Sequence, residues 1–298
     1  MLGKNIIVNY HYVRDPDPKE RGIHPCSLEE FEREVAYLAR NYRIVSVGEV
    51  FASARQKGDG RFCAITFDDG LKDHYYNALP VLKKYGAAGT FFPSPSTFDG
   101  QLPATHKIHL ILSRFPVMEV IDVFNKFTKT GIPTNRRLFN RRLHEDIPTA
   151  NFKETMITLS RDEKDRFLNR YFAELDLDEK KIAQEIFMTK AEIKSLRQEG
   201  MTVGSHSHGH YSMAAVGKEF IRQDIRQASQ SLFEVLGEKV SVFSYPHGHS
   251  TPESVKVLKE EGFEYAVTIE PREVKSGDKP LLLPRYDTIH LKTLLNSG

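Results

Sequence analysis

Short runs of β-branched and aromatic residues alternate with longer segments of helical period along most of this chain. Residues 6–13, Ile-Ile-Val-Asn-Tyr-His-Tyr-Val, read as a strand bounded by Pro16 and Pro18. Ser27 and Glu30 have the spacing of a capping box and open a helix that runs to about Asn41. Residues 43–47 read as a second strand, and 62–67 as a third that stops abruptly at Asp68-Asp69-Gly70. A helix over 73–85 is ended by Gly86, and a strand over 89–92 is closed by Pro93 and Pro95.

The rhythm then changes. Residues 94–188 are mostly helical and charged, with Phe124, Phe127, Ile157, Phe167, Leu168 and Phe172 at helix-like spacing. The stretch carries no short motif of known chemistry and reads as an insertion covering one side of the main domain. Within it, Arg136, Arg137, Arg141 and Arg142 read as a solvated helix face. The first rhythm returns at Thr189, which can cap a helix carrying Ile193 and Leu196. Strands follow over 201–204, 240–245, 265–269 and 285–289, with helices over 218–236 and 252–261 between them. Strand–helix alternation on this scale argues for a parallel sheet. Seven or eight such units predict a barrel rather than an open sheet. One domain is expected across 1–298, interrupted by the insertion at about 95–187.

Composition narrows the function classes. Among 298 residues, 42 Lys and Arg stand against 40 Asp and Glu, so no basic excess points to a nucleic-acid partner. Two cysteines, Cys26 and Cys63, make neither a disulfide framework nor a four-cysteine zinc site. No apolar run approaches the ~20 residues of a membrane span. The N-terminus enters a strand pattern without an apolar leader, which gives a cytoplasmic location as the expectation. Nothing in the composition sets an oligomeric state.

The chemistry-bearing stretches share a position. Asp68-Asp69, the run from His206 to His210, and Tyr245-Pro246-His247-Gly248 each follow an expected strand. In a barrel of parallel strands these C-terminal ends converge on one face, where active sites form. Alone, Asp-Asp-Gly reads as a turn and helix cap, and His206, His208 and His210 as a polar loop. Together, Asp69, His206 and His210 offer one carboxylate and two imidazoles, which leaves metal coordination positions open for water and substrate. The same set suits a non-haem iron oxygenase. Asp68 tips the balance to hydrolysis, because a carboxylate beside the metal can take a proton from water. His106 and His109, three apart at the start of an expected helix, could face this site, although a structural role is the expectation for them.

These residues carry a resemblance. Ile65-Thr66-Phe67-Asp68-Asp69-Gly70 resembles the first motif of the polysaccharide deacetylases (NodB homology, carbohydrate esterase 4). His206-Ser207-His208-Gly209-His210 resembles their second motif, H-[ST]-x-x-H. Tyr10-His11, Tyr245-Pro246-His247-Gly248 and Leu283-Pro284-Arg285 resemble the branch with permuted motif order, as in the biofilm poly-N-acetylglucosamine deacetylases. The resemblance covers roughly 5–95 and 188–290.

The resemblance implies a distorted (β/α)7-type barrel with a mostly helical insertion. It implies Asp68 as general base, with Asp69, His206 and His210 holding zinc or another divalent transition metal. It implies His11 as general acid and Arg285 as the arginine that orients the base. His290 is the rival acid and a candidate for substrate contact, as is Tyr245. The loop departs from the usual Tyr-Pro-Tyr-Gly, but the resemblance implies a backbone N–H as oxyanion donor here, which does not depend on the side chain, so the N–H of His247 can still serve. The implied reaction is removal of an N-acetyl group from an amino sugar, in a polysaccharide or its precursor. Hydrolysis of a non-sugar amide or cyclic imide is the alternative within enzymes. A non-catalytic carbohydrate-binding domain is the alternative outside them.

Overall fold

The computed structural model describes residues 3–56, 58–128, 131–140 and 142–291. Among the described residues there are eight strands: β1 (Asn5–Tyr10), β2 (Arg43–Ile44), β3 (Phe62–Asp69), β4 (Gly89–Pro93), β5 (Thr202–Val203), β6 (Val242–Ser244), β7 (Tyr265–Val267) and β8 (Tyr286–Asp287). β1 lies between β3 and β8, β3 pairs with β4, and β4 with β5, all in parallel. A parallel bridge from Ser205 to Phe243 joins the end of β5 to β6. β6 pairs with β7, and a parallel bridge from Val267 to Leu283 returns the circuit to the segment that enters β8. The circuit is a distorted (β/α)7-type barrel, and β2 is a side strand on β3. Several strands are shorter than their sequence patterns. The 43–47 run, for example, stops at Ile44 because Ser46 and Glu49 form a capping box that starts the helix Val47–Ala54.

Period-two alternation sorts the strand residues. On β1, Ile6, Val8 and Tyr10 pack under the helix Leu28–Asn41 against Phe31, Val35 and Leu38. Ile7 points the other way, into the barrel interior with Ala64, Val242, Val267 and Leu283. The same parity carries Asn9 inward above Ile7, and Thr66 and Asp68 inward above Ala64. Polar side chains at those places stand above the apolar floor of the barrel.

The helix expected over 73–85 is present in two forms. Residues His74–Ala78 form a π turn, with the α-helix Leu79–Lys84 after it. Pro80 has no N–H to give to the preceding turn, and the ladder widens so that Leu79 N–H donates to His74 O.

The insertion forms five α-helices among the described residues: Ala104–Arg114, Val117–Thr128, Ile147–Thr158, Arg161–Glu174 and Glu179–Ile186. Phe124, Phe152, Phe167 and Phe172 build its core, which continues onto Tyr12 and Leu71 of the barrel. The insertion is thus packed on the face where β1 and β3 end. The arginine cluster is not a helix face. Arg137 donates to the carbonyls of Arg142 and Glu145 at 3.1 and 2.8 Å, and Arg142 pairs with Glu154 at 2.8 Å, so these side chains tie a loop together. Arg141 lies outside the described residues. Among the described residues no helix is long and apolar enough to cross a membrane.

Candidate active site

The residues singled out from the sequence meet where the parallel strands end. Several of them hold unusual backbone geometry. Six non-glycine residues among those described have positive φ, and four are here: Asp69 (75°), Ser207 (62°), His210 (57°) and His247 (58°). Each left-handed residue costs about 1–3 kcal/mol, and such strain gathers at functional sites. Two devices hold it in place. Asp224, buried on the helix Lys218–Leu236, accepts from the N–H groups of His208 and Gly209 at 3.0 and 2.8 Å. Gly70 follows Asp69 with φ 72°, and a Cβ there would stand 2.8 Å from Cβ of Pro93. Gly70→Ala is expected to cost on the order of 1–3 kcal/mol. An unchanged urea midpoint for that variant would contradict this account of the turn.

Asp69, His206 and His210 offer ligand atoms that all lie within 4.8 Å of one another, and all three residues are buried. Asp69 Oδ1 stands 3.4 Å from His206 Nε2 and 3.1 Å from His210 Nε2, with no hydrogen-bond partner. His206 Nδ1 is 2.7 Å from the Ser244 carbonyl, to which it donates, so the lone pair of this ring lies on Nε2. A ring lone pair and a carboxylate oxygen repel unless a proton or a cation lies between them. Burial works against a charged His206, yet the neighbouring Asp68 and Asp69 outweigh it and raise its pKa. At His210 burial wins and the pKa falls. The donor set therefore fits a divalent metal, with the neutral imidazoles as ligands. His208 stays outside the cluster, with its backbone anchored on Asp224.

Asp68 is the second carboxylate. Arg285, fully buried in the barrel mouth, donates to its Oδ1 at 2.9 Å and through Nη2 to its Oδ2. Asn9 Nδ2 adds a bond to Oδ2 at 3.2 Å. Burial opposes ionisation of Asp68, but Arg285, His206 and His11 beside it hold its carboxyl far below the usual range. Arg285 also donates to Asn9 Oδ1 (2.7 Å), Thr66 Oγ1 (3.2 Å), Ser244 Oγ (2.9 Å) and the Thr268 carbonyl (2.8 Å). This guanidinium is thus held by five residues from the ends of four strands.

His11 is not within the strand, as its sequence pattern implied. β1 ends at Tyr10, and the His11 carbonyl accepts from His74 Nε2 at 2.8 Å. Burial pushes the His74 imidazole down to about 4, so it is a neutral donor at pH 7. The His11 ring is half-exposed at the mouth of the site. Its Nε2 is 3.9 Å from Asp68 Oδ2, and its Nδ1 is 3.7 Å from Asp287 Oδ2. Asp287 carries no sequence signal beyond its place at a strand end. A signal for Asn9 was present: a lone amide inside an apolar strand run.

Three sequence expectations fare differently. His247 lies against the Asp69–His206–His210 cluster, its ring 4.9 Å from that of His210 and steeply inclined to it. Burial, with His210 and Lys164 nearby, keeps its imidazole neutral. Tyr245 is not a substrate contact. Its ring is fully buried against Phe243 and its hydroxyl donates to the Leu281 carbonyl at 3.1 Å, because strand parity turns it into the core. His290 does not approach the aspartates either. It sits in a helical turn after β8, its Nδ1 buried without a partner, and no ion pair joins it to Asp68 or Asp69 among the described residues.

A family model for polysaccharide deacetylases matches residues 55–109 and 167–266, more than half of the sequence. The chain belongs to the polysaccharide deacetylase family. The unmatched interval 110–166 falls within the insertion. A Bacillus subtilis protein that carries a polysaccharide-deacetylase name, YxkH, is 20% identical over 246 residues, 82% of this chain. The chain spans 58% of that relative's length. Among solved structures, the fold is similar to the Streptococcus pyogenes deacetylase PplD in complex with acetate (TM-score 0.63, 15% identity, 99% of this chain and 98% of that one). It is similar also to IcaB of Ammonifex degensii (TM-score 0.59, 20% identity, 96% and 92%). A de-N-acetylase of Aggregatibacter actinomycetemcomitans gives a TM-score of 0.56 at 16% identity, over 94% and 93% of the two chains. Deacetylases of this family generally use a divalent metal, and among the described residues Asp69, His206 and His210 form a group that could hold one.

Proposed function

We propose that this deacetylase is a metal-dependent hydrolase that removes N-acetyl groups from an amino-sugar polymer or its precursor. The observation that carries the reading is the placement of Asp68. Its Oδ2 is 3.9 Å from His206 Nε2 on one side and 3.9 Å from His11 Nε2 on the other. A base between a metal ligand and a candidate acid is the arrangement amide hydrolysis needs.

When bound at Asp69, His206 and His210, a divalent metal supplies Lewis-acid polarisation and acidifies water. The chain's own residues do the rest. Arg285 and Asn9 fix both oxygens of Asp68 and keep it ionised. As Asp68 takes a proton from water, the water oxygen attacks the amide carbon. The His247 N–H donates to the oxyanion that forms. His11, with Asp287 beside its Nδ1, gives a proton to the departing nitrogen as the C–N bond breaks. The products are a free amino sugar and acetate. The names of the neighbouring deacetylases and the acetate complex of PplD agree with this reaction class.

His11→Ala is expected to lower kcat for acetate release by roughly 10²–10⁴-fold with zinc content unchanged. Wild-type turnover in that variant would remove His11 from the mechanism. The experiment for the reaction itself is acetate release from free, nucleotide-linked and polymeric N-acetylated sugars, measured with and without added zinc.

A further inference from the structure

We propose that two histidines of the insertion and Tyr12 of the barrel form a hydrogen-bond relay, His109–Tyr12–His106, that holds the second oxygen of Asp69 and sets how this carboxylate meets a metal. The inference rests on the metal reading of the site given above. His106 and His109 lie on the helix Ala104–Arg114 of the insertion, one turn apart. His106 is buried, and its ring packs edge-on against Phe187 at 4.8 Å. Its Nε2 is 3.4 Å from Asp69 Oδ2, the oxygen opposite the one that faces His206 and His210. Its Nδ1 is 2.6 Å from the Tyr12 hydroxyl, which lies 3.2 Å from His109 Nδ1.

Proton counting gives the chain a direction. Tyr12 has one proton to donate, and burial together with Asp69 raises its pKa, so the hydroxyl keeps that proton. The shorter contact takes it, making His106 Nδ1 the acceptor. His106 then carries its proton on Nε2, which is buried without a hydrogen-bond partner and lies 3.4 Å from Asp69 Oδ2, so that carboxylate is the acceptor a small closure would bring to this N–H. His109 donates from Nδ1 to the Tyr12 oxygen. In the reverse direction an imidazole lone pair would face a carboxylate oxygen, and two acceptors repel.

The relay is itself held in place. Val13 N–H donates to Asp73 Oδ2 at 3.1 Å, and Arg14 grips the same carboxylate at 2.7 and 2.8 Å, which anchors the segment carrying Tyr12. With Oδ2 facing the His106 N–H, Asp69 is left to offer a metal Oδ1. One carboxylate oxygen and two imidazoles leave the remaining positions to water and substrate. His106 is thus a positioning residue. The insertion tunes the metal site as well as covering it, and hydrogen-bond partners of this kind are worth about 10–100-fold in metal affinity.

The test is zinc affinity by chelator competition, with the visible spectrum of the cobalt-loaded full chain as a second readout. His106→Ala is expected to bind zinc about 10–100-fold more weakly. Its cobalt bands should weaken as Asp69 closes on the metal through both oxygens. His106→Gln restores an N–H donor and should recover most of the affinity. Tyr12→Phe keeps the ring packing, loses the hydroxyl, and should weaken binding in the same direction, which keeps the test open if His106→Ala does not fold. Wild-type affinity and an unchanged cobalt spectrum in His106→Ala and Tyr12→Phe would overturn the relay. A loss that His106→Gln does not restore, with a spectrum reporting one nitrogen fewer, would overturn it in favour of direct ligation. A wild-type chain that binds neither zinc nor cobalt would instead overturn the metal reading on which the relay rests.

Discussion

Asp68→Asn is expected to lower acetate release by roughly 10²–10⁴-fold while leaving the metal ligands intact. The amide has nearly the shape of the carboxylate, so Arg285 and Asn9 can still hold it in place. What it lacks is the capacity to take a proton from water. The side chains of Asp69, His206 and His210 are untouched by the change, so zinc content should stay at one equivalent. The two readouts separate base from ligand. Asp69→Asn or His210→Ala should lose the metal itself, and with it any zinc-dependent rise in unfolding temperature. An Asp68→Asn enzyme with near-wild-type turnover and bound zinc would make another group the base.

The second large effect is on stability. Arg285→Met is expected to destabilise the fold by about 3–5 kcal/mol. The guanidinium is fully buried and neutralises Asp68, which is itself buried. Taking it away leaves a buried carboxylate with Asn9 alone as hydrogen-bond support, along with acceptors on Thr66, Ser244 and Thr268 that lose their donor. Adding Asp68→Asn to Arg285→Met should return part of that loss, since the orphaned charge is then gone. A double-mutant cycle by urea unfolding measures the coupling. Strict additivity of the two changes would contradict a paired role.

The sequence was most readable where a local rule had no competitor. Strand parity on 62–69 and the stop at Asp68-Asp69-Gly70 gave both the strand and its active end. The barrel followed from strand–helix alternation, because parallel strands need crossovers. Reading was poorest where partners come from distant segments. Nothing in the pattern of 94–188 shows that His106 reaches Asp69, because that contact depends on how the insertion docks through Tyr12, Leu71 and Phe187. Tyr245 sits in a motif yet faces the core, since its direction is set by the β6 and β7 ladder rather than by the Tyr-Pro-His-Gly string. The helix expected over 73–85 gave no sign of the π turn His74–Ala78, on which His74 reaches the His11 carbonyl. Asp287 and Asn9 acquire meaning only once β8 and β1 are adjacent in register, Asn9 against Asp287.

The most direct test of metal-dependent N-deacetylation is acetate released from an N-acetylglucosamine oligomer by the chelator-stripped chain, before and after one equivalent of zinc is restored. The expected result is no acetate from the stripped chain, stoichiometric acetate and free amine after zinc, and neither from Asp68→Asn carrying the same zinc. Equal acetate release with and without metal, or release by Asp68→Asn at the wild-type rate, would contradict the account.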